Sequence, residues 1–323
     1  MAIQDESFDV SFVIPTKNGE RTITKCLDAI VNQKTDISYE IIVVDGNSTD
    51  NTIKIAKSYD VRLFICEGLV SKARKLGVNV ARGTYIAFVD ADVYISKNWL
   101  GSIVQTIKKS KLDGAIGKVE TNNSFMMKYS DISSPFSQDK PFLIKNCFPT
   151  LNTVMLKRRI IQVGNFNELL TSSEDGDLTK RMVDKGFKFM FEPNAVCYHD
   201  CIVSLRSMVK KDIWYTKGIF ICMLKYGIKS WFFRTFTTRL LASILFFIFL
   251  SLLIVIPKTI MTVAGIVILF FIFYSLIKYL QTKNKGWLIY LPMFIFNRFS
   301  FVIASVSSVH YYIYTYSKNS NRG

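Results

Sequence analysis

Short apolar runs, several rich in β-branched residues, alternate with helically spaced stretches through the first 120 residues. Val10 to Ile14, Ile41 to Val44, Val61 to Ile65, Tyr85 to Val89 and Gly114 to Val119 read as strands. Arg21 to Asn32, Asp50 to Ser58, Val70 to Ala81 and Lys97 to Lys109 read as helices, with Ser96 and Ser48 or Asp50 as N-caps. Such alternation predicts an α/β domain on a mostly parallel, doubly wound sheet, with ligand sites beyond the carboxyl ends of its strands. Asp45, Asp90 and Asp92 fall at those ends. Between about residues 121 and 150 the pattern weakens, and Pro135, Pro141 and Pro149 sit among polar residues. A mobile loop over the site and an irregular connection both produce that pattern. A helix near Val154 to Gln162, another from Asp175 to Lys185 and a strand at Lys188 to Phe191 are expected to follow.

The C-terminal part has a different texture. From Arg206 to Arg239 eight basic residues are interleaved with Trp214, Tyr215, Phe220, Trp231 and Phe232. Helices lying in a membrane interface use that mixture, as does a solvated basic helix capping a globular domain. Leu240 to Ile256 and Thr259 to Ile277 are uncharged runs of near-spanning length around Pro257-Lys258, the pattern of a helical hairpin. Trp287 to Tyr314, interrupted by Pro292, Asn297 and Arg298, fits a third span or a pair of interfacial helices. The expected division is a globular domain over 1–205, interfacial helices over 206–239, a membrane region of two to three helices over 240–314, and a polar tail at 315–323.

Composition supports a membrane part, since half of the 323 residues are hydrophobic and 14% aromatic. The net charge of +16 is concentrated at one end: residues 201–323 hold 15 Lys and Arg against a single acidic residue, Asp212. This charge beside apolar runs points to anionic lipid headgroups, and no nucleic-acid partner is expected. The connection carrying Lys278, Lys283 and Lys285 is expected to be cytoplasmic, which puts the globular domain, two crossings away, on the same side. Six Cys without C-x-x-C spacing and only two His argue against a structural zinc site. The opening MAIQDESFDV has neither a basic nor an apolar leader region, so no export of this domain is expected.

The stretch "AFVDADVY" ends an apolar run with Asp90 and Asp92 one residue apart. Two like charges at the tip of a buried strand are reasonable where a divalent cation neutralises them. Mg²⁺ and Mn²⁺ take oxygen ligands, often carboxylates together with substrate phosphates. By itself D-x-D also fits a solvated turn.

Its context is more specific. With "SFVIPTKNGE", "IIVVDGNSTDNT" and "SKARKLGVNVARGTYIAF" in order ahead of the D-x-D, residues 8 to 205 resemble the family 2 glycosyltransferases of the GT-A fold. The resemblance implies a Rossmann-like mixed sheet in which Pro15, Thr16 and Glu20 line the base and ribose of a nucleotide and Asp45 contacts the base. It places Lys72 and Arg74 near the donor, and Asp90 and Asp92 at its metal-bound diphosphate. In "VGNFNELLTSSEDGDLTKRMVDKGFKF" it makes Asp175 the general base, with Glu174 beside it on the acceptor side. The residues alone also allow Glu174, Asp175 and Asp177 simply to complement a helix N-terminus. His199, in "AVCYHDC", matches a position near the metal, as a ligand beside Asp92 or as a contact to the diphosphate, with Asp200 as the alternative. Asn152 corresponds more loosely to the acceptor wall. "KKDIWYTKG" only partly matches the Gln-x-x-Arg-Trp motif of processive members, which argues against a polymer synthase.

The expected protein is thus a membrane-anchored inverting glycosyltransferase. It would use a UDP- or GDP-linked sugar and Mg²⁺ or Mn²⁺ to extend a polyprenyl-linked glycan, with oligomerisation compatible but unspecified. The alternative is a polyprenyl-phosphate sugar synthase, whose acceptor phosphate is already ionised and has little need of a base. A scaffold without turnover would have no reason to keep both Asp92 and Asp175.

Overall fold

The computed structural model describes residues 8–121, 135–199 and 205–255, together with 269–270, 272–278, 280–281, 295, 298–309 and 312. These fall into two compact units, one on either side of residues 200–204.

The first unit is an α/β sandwich around a nine-stranded sheet. Its elements are β1 (Val10–Thr16), α1 (Ile23–Val31), β2 (Tyr39–Asp45), α2 (Thr52–Ala56), β3 (Arg62–Ile65), α3 (Val70–Val80), β4 (Tyr85–Val89), β5 (Val93–Ile95), α4 (Trp99–Lys109) and β6 (Gly114–Thr121). After a 3₁₀ turn at Pro135–Ser137 come β7 (Phe142–Ile144), β8 (Asn152–Leu156), α5 (Lys157–Gln162), α6 (Glu174–Asp184) and β9 (Phe189–His199). The sheet runs β3-β2-β1-β4-β8-β6-β9-β5, with β7 paired to β9.

Alternation along the strands builds the two faces of the core. Phe12, Ile14, Ile41, Val43, Ala87 and Val89 pack toward α1 and α4, among Leu27, Ile30, Trp99 and Ile103. Their strand neighbours Val13, Ile42, Val44, Ile86 and Phe88 pack on the other face with Ala73, Val78, Leu178 and Met182 of α3 and α6. Both faces are covered, so the strands read as continuous apolar runs. Gly77 lets α3 lie directly on β1: a Cβ there would stand 2.4 Å from Cγ1 of Val13.

The sheet is mixed, as the family resemblance implies, where strand and helix alternation alone predicts a mostly parallel one: β3, β2, β1 and β4 are parallel, but β8 runs antiparallel between β4 and β6, and β5 and β7 run antiparallel to β9. Three other expectations are corrected. The helix expected over Val154 to Gln162 is divided, because Asn152–Leu156 is buried at every position as a central strand and the helix begins only at Lys157. The strand expected to stop at Phe191 continues to His199, since a bulge opposite Gly117 and Lys118 accommodates Pro193. The two helix starts place Asn51 and Asn98 at the N-cap positions, rather than Ser48 or Asp50 and Ser96.

In the second unit α7 (Leu205–Tyr226) and α8 (Trp231–Val255) form a helical hairpin. Gly227, at φ +72°, ends α7, and the Ser230 hydroxyl accepts the Phe233 N–H at the start of α8. Phe236 of α8 meets Phe220 of α7 and Phe301, 5.4 and 5.7 Å between ring centres. Arg239 donates to Asp212 across the hairpin at 2.9 Å. α8 is continuous through residue 240, so the expected boundary between interfacial and spanning segments is not a break in structure. The sequence-predicted spans over Thr259 to Ile277 and Trp287 to Tyr314 lie partly outside the described residues. Pro257, Lys258, Asp200, the loop lysines Lys283 and Lys285 and the tail at 315–323 lie wholly outside them.

Candidate active site

The parallel strands place their carboxyl ends on one edge of the sheet, where β2 leaves β1 on one side and β4 on the other. Crevices at such a switch point are where open α/β sheets bind ligands. Thr16, Asp45 and Asp90 stand at the ends of β1, β2 and β4.

The loops after β1 and β2 are laced into one surface. Asn18 donates its N–H to the Ser48 hydroxyl at 2.8 Å and accepts from Thr49 N–H at 2.9 Å. The Glu20 carboxylate accepts from the Asn51 backbone and side-chain amides, at 3.0 and 3.1 Å. Asn18 and Asn47 hold positive φ, which asparagine tolerates better than most residues. Asp45 is fully buried and accepts from the Ser48 backbone and hydroxyl, both at 2.7 Å. It therefore shapes this loop, and a base reaches its carboxylate only if Ser48 releases it.

Pro15 is buried inside β1, opposite Val44 and beyond the last β1–β4 pair, so its lack of an N–H costs that ladder nothing. Thr16 is also buried, and its hydroxyl has no hydrogen-bond partner among the described residues.

The D-x-D forms the turn between β4 and β5, closed by the Val93 N–H to Asp90 carbonyl bond at 3.0 Å. β5 then pairs with the end of β9, with Val93 opposite His199. That pairing brings His199 Nε2 to 3.1 Å from Asp92 Oδ2. Asp92 remains 44% exposed at its side chain and His199 14%, so the pair is open to a ligand from one side. Beneath the turn lies Cys26 of α1, its thiol 3.6 Å from the Asp90 carbonyl and held protonated by burial and by the charges of Asp92 and Asp90.

Arg74, in α3, is 95% buried. Its guanidinium donates to Asp90 at 2.6 Å and, through its other terminal nitrogen, to Glu174 at the start of α6. Lys72, two residues earlier and on another face of the helix, is exposed. Burial outweighs the Arg74 charge at Glu174 and pushes its carboxyl up to about 7. Asp175 is raised for the same reason, with Arg74, the Gly176 N–H and the Thr150 backbone opposing and Asp90 adding to the rise. Asp177, completely buried, is instead paired with Arg181 at 2.8 Å and has a structural role.

Asn152 does not form an exposed wall. It is fully buried in β8, accepting from Trp99 Nε1 at 2.5 Å and donating to the Lys118 carbonyl at 3.1 Å. Sequence reading missed Ser48, Cys26 and the pairing of Arg74 with Glu174. The D-G-N-S turn was a signal for Ser48; contacts of Arg74 across 100 residues leave none.

The fold and this edge define a GT-A-like domain. Residues 11–166 match the Glycosyl transferase family 2 model. It is 29% identical to Glycosyltransferase AglE of Haloferax volcanii, over 59% of this chain and 66% of the relative. It is 26% identical to the dolichyl N-acetyl-alpha-D-glucosaminyl phosphate 3-beta-D-2,3-diacetamido-2,3-dideoxy-beta-D-glucuronosyltransferase of Methanococcus voltae, over 84% and 95%. The crystal structure of S. aureus TarS 1-349 in complex with UDP superposes with a TM-score of 0.50 at 22% identity, over 65% of each chain.

Proposed function

We propose that this protein is a membrane-attached inverting glycosyltransferase that moves a sugar from a nucleotide-diphosphate donor to a hydroxyl of a polyprenyl-linked glycan. The observation that carries this reading is the meeting of Asp92 with His199 on the same sheet edge as Asp90, Arg74 and the Glu174-Asp175 pair. The name of the Methanococcus voltae relative, which covers nearly its full length, supports a lipid-borne acceptor, and the UDP complex of TarS supports a nucleotide donor.

A carboxylate and an imidazole 3.1 Å apart suit Mn²⁺ or Mg²⁺ with the remaining positions left to diphosphate oxygens. Among the described residues no cluster of three ligating side chains exists, in keeping with an ion completed by its substrate. Asp92 and His199 would hold it. When bound, it supplies positive charge to the departing diphosphate.

The chain's own groups do the rest. Asp175 accepts the proton of the acceptor hydroxyl as that oxygen bonds to the anomeric carbon. The bond from that carbon to the diphosphate oxygen breaks on the opposite face, and the electron pair leaves with the nucleoside diphosphate. The stitched loops holding Asn18, Glu20 and Ser48 preorganise the nucleoside side.

In the second unit Leu241, Ile244, Leu245 and Ile248 form an exposed stripe at helical spacing on α8. Trp231–Ile248 is the one helical segment among the described residues long and apolar enough to cross a bilayer. With the basic residues of Arg206 to Arg239, it supports a membrane attachment with the catalytic unit on the cytoplasmic face.

The test is nucleoside diphosphate release by full-length protein in lipid extract, with a panel of UDP- and GDP-sugars and with or without Mn²⁺. Asp175→Asn is expected to lower turnover by about 10²- to 10⁴-fold. Release that survives this substitution would instead indicate a phosphate acceptor, and no release with any donor would remove the enzymatic reading.

A further inference from the structure

We propose that Arg74 is a positioning residue that locks the donor-side turn to the acceptor-side helix, with Glu174 as its second anchor, and does not itself contact the donor diphosphate. This rests on the glycosyltransferase reading of the site and assigns to Arg74 a role different from donor binding.

Both terminal nitrogens of the guanidinium are engaged, and its Nε is buried with no hydrogen-bond partner among the described residues. Arg74 is 95% buried, and each of its two terminal nitrogens holds a carboxylate, one from the end of β4 and one from the start of α6. A planar fork can make two such bonds at a fixed angle, whereas an ammonium is a point charge that cannot reproduce that angle. α3 is itself fixed, because Gly77 sets it against Val13 of β1 and the Ser71 hydroxyl bonds the Leu170 carbonyl ahead of α6 at 3.1 Å. Arg74 thus refers two elements, a tight turn and a helix start, to a rigid support. Glu174 is 98% buried, with its second oxygen unpartnered among the described residues. A carboxylate so enclosed is poorly placed for an acceptor sugar and well placed as an anchor.

The same contact sets the charge around Asp175. Groups facing Asp175 are Arg74 from α3, Asp90 from the β4 end, Glu174 on its own helix, the Gly176 and Thr150 backbone amides, and Cys147 from the preceding loop. Arg74 is the cation among them. Removing it should move the ionisation of Asp175 toward higher pH, whereas Glu174, whose carboxyl is held up to about 7 by burial and by the Asp175 charge, is protonated as Asp175 ionises.

The experiment uses full-length protein in lipid extract, comparing wild type, Arg74→Lys and Glu174→Gln. Three quantities are read: nucleoside diphosphate affinity by calorimetry, kcat with KM for the donor, and the acid limb of kcat/KM against pH. Arg74→Lys should lower kcat by about 30-fold or more, the rate cost of misplacing reacting groups, and leave nucleotide affinity within about threefold. Glu174→Gln, which keeps the neutral form that Glu174 holds as Asp175 ionises, should lower kcat, leave nucleotide affinity within about threefold and leave the acid limb in place. The near-isosteric Glu174→Gln keeps the test usable if Arg74→Lys fails to fold. Nucleotide affinity falling in parallel with kcat in either variant would overturn the proposal in favour of direct donor contact. Unchanged kcat in Glu174→Gln would overturn it as well. Absence of wild-type turnover alongside normal nucleotide binding would instead sink the glycosyltransferase reading on which it rests.

Discussion

Aspartate 92 and histidine 199 are 107 positions apart in sequence and meet only because β5 folds back on the end of β9. If the pair holds an ion, each partner should contribute separately to its affinity. His199→Ala and Asp92→Asn are expected to weaken Mn²⁺ binding, measured by titration in the presence of nucleoside diphosphate, by about tenfold or more each. Tenfold corresponds to about 1.4 kcal/mol, a modest demand for the loss of one ligand. Unchanged Mn²⁺ affinity in both variants would show that the contact is an ordinary side-chain pair. Asp45 teaches the opposite lesson at the same scale: its position at a strand end was legible, but the bonds to Ser48 that enclose it depend on the loop's three-dimensional path.

Elements were legible where one period dominated. Four of the five strands expected in the first 120 residues carry apolar runs buried in the sheet, while the edge strand β3 is only partly covered, and α4 is present because Trp99, Leu100, Ile103, Val104 and Ile107 share one face. Legibility failed where tertiary pairing decided the outcome. "NTVML" is short enough to be absorbed into a helix by periodicity alone, and only its place between β4 and β6 makes it a strand. Three-residue β5 and β7 carry too little pattern to be seen, although β5 is what delivers the D-x-D to His199. At this scale Gly77 is a tightly constrained position: Gly77→Ala should destabilise the domain by about 1 to 3 kcal/mol through overpacking against Val13. Denaturant unfolding checks this, and Val13→Ala in the same chain should recover part of the loss by vacating the space. If the double variant is less stable than the sum of the two single changes, the clash is not the cause.

For the whole molecule, the proposed membrane attachment raises the question of which force would hold it at a bilayer. The charge asymmetry was plain in the sequence, but the continuity of α8 through residue 240 was not, because Arg234 and Arg239 interrupt the apolar run without interrupting the helix. Twenty-five residues of α8 extend about 37 Å, longer than a hydrocarbon core of about 30 Å. Burying Leu241, Ile244, Leu245 and Ile248 would contribute roughly 6 to 12 kcal/mol, at about 1.5 to 3 kcal/mol per side chain. The eight basic residues from Arg206 to Arg239 could add about 1 kcal/mol each at an anionic surface, a term that 1 M salt removes by shortening the screening length to about 3 Å. The two contributions are similar at low salt and separate at high salt. Full-length protein should therefore stay with membranes through a 1 M salt wash. Changing the four stripe residues to Ser should make it extractable by that wash while low-salt binding to anionic vesicles persists. Wild-type protein released by salt alone would reduce α8 to a helix held at the surface by charge, and would place the attachment of the catalytic unit in the basic residues.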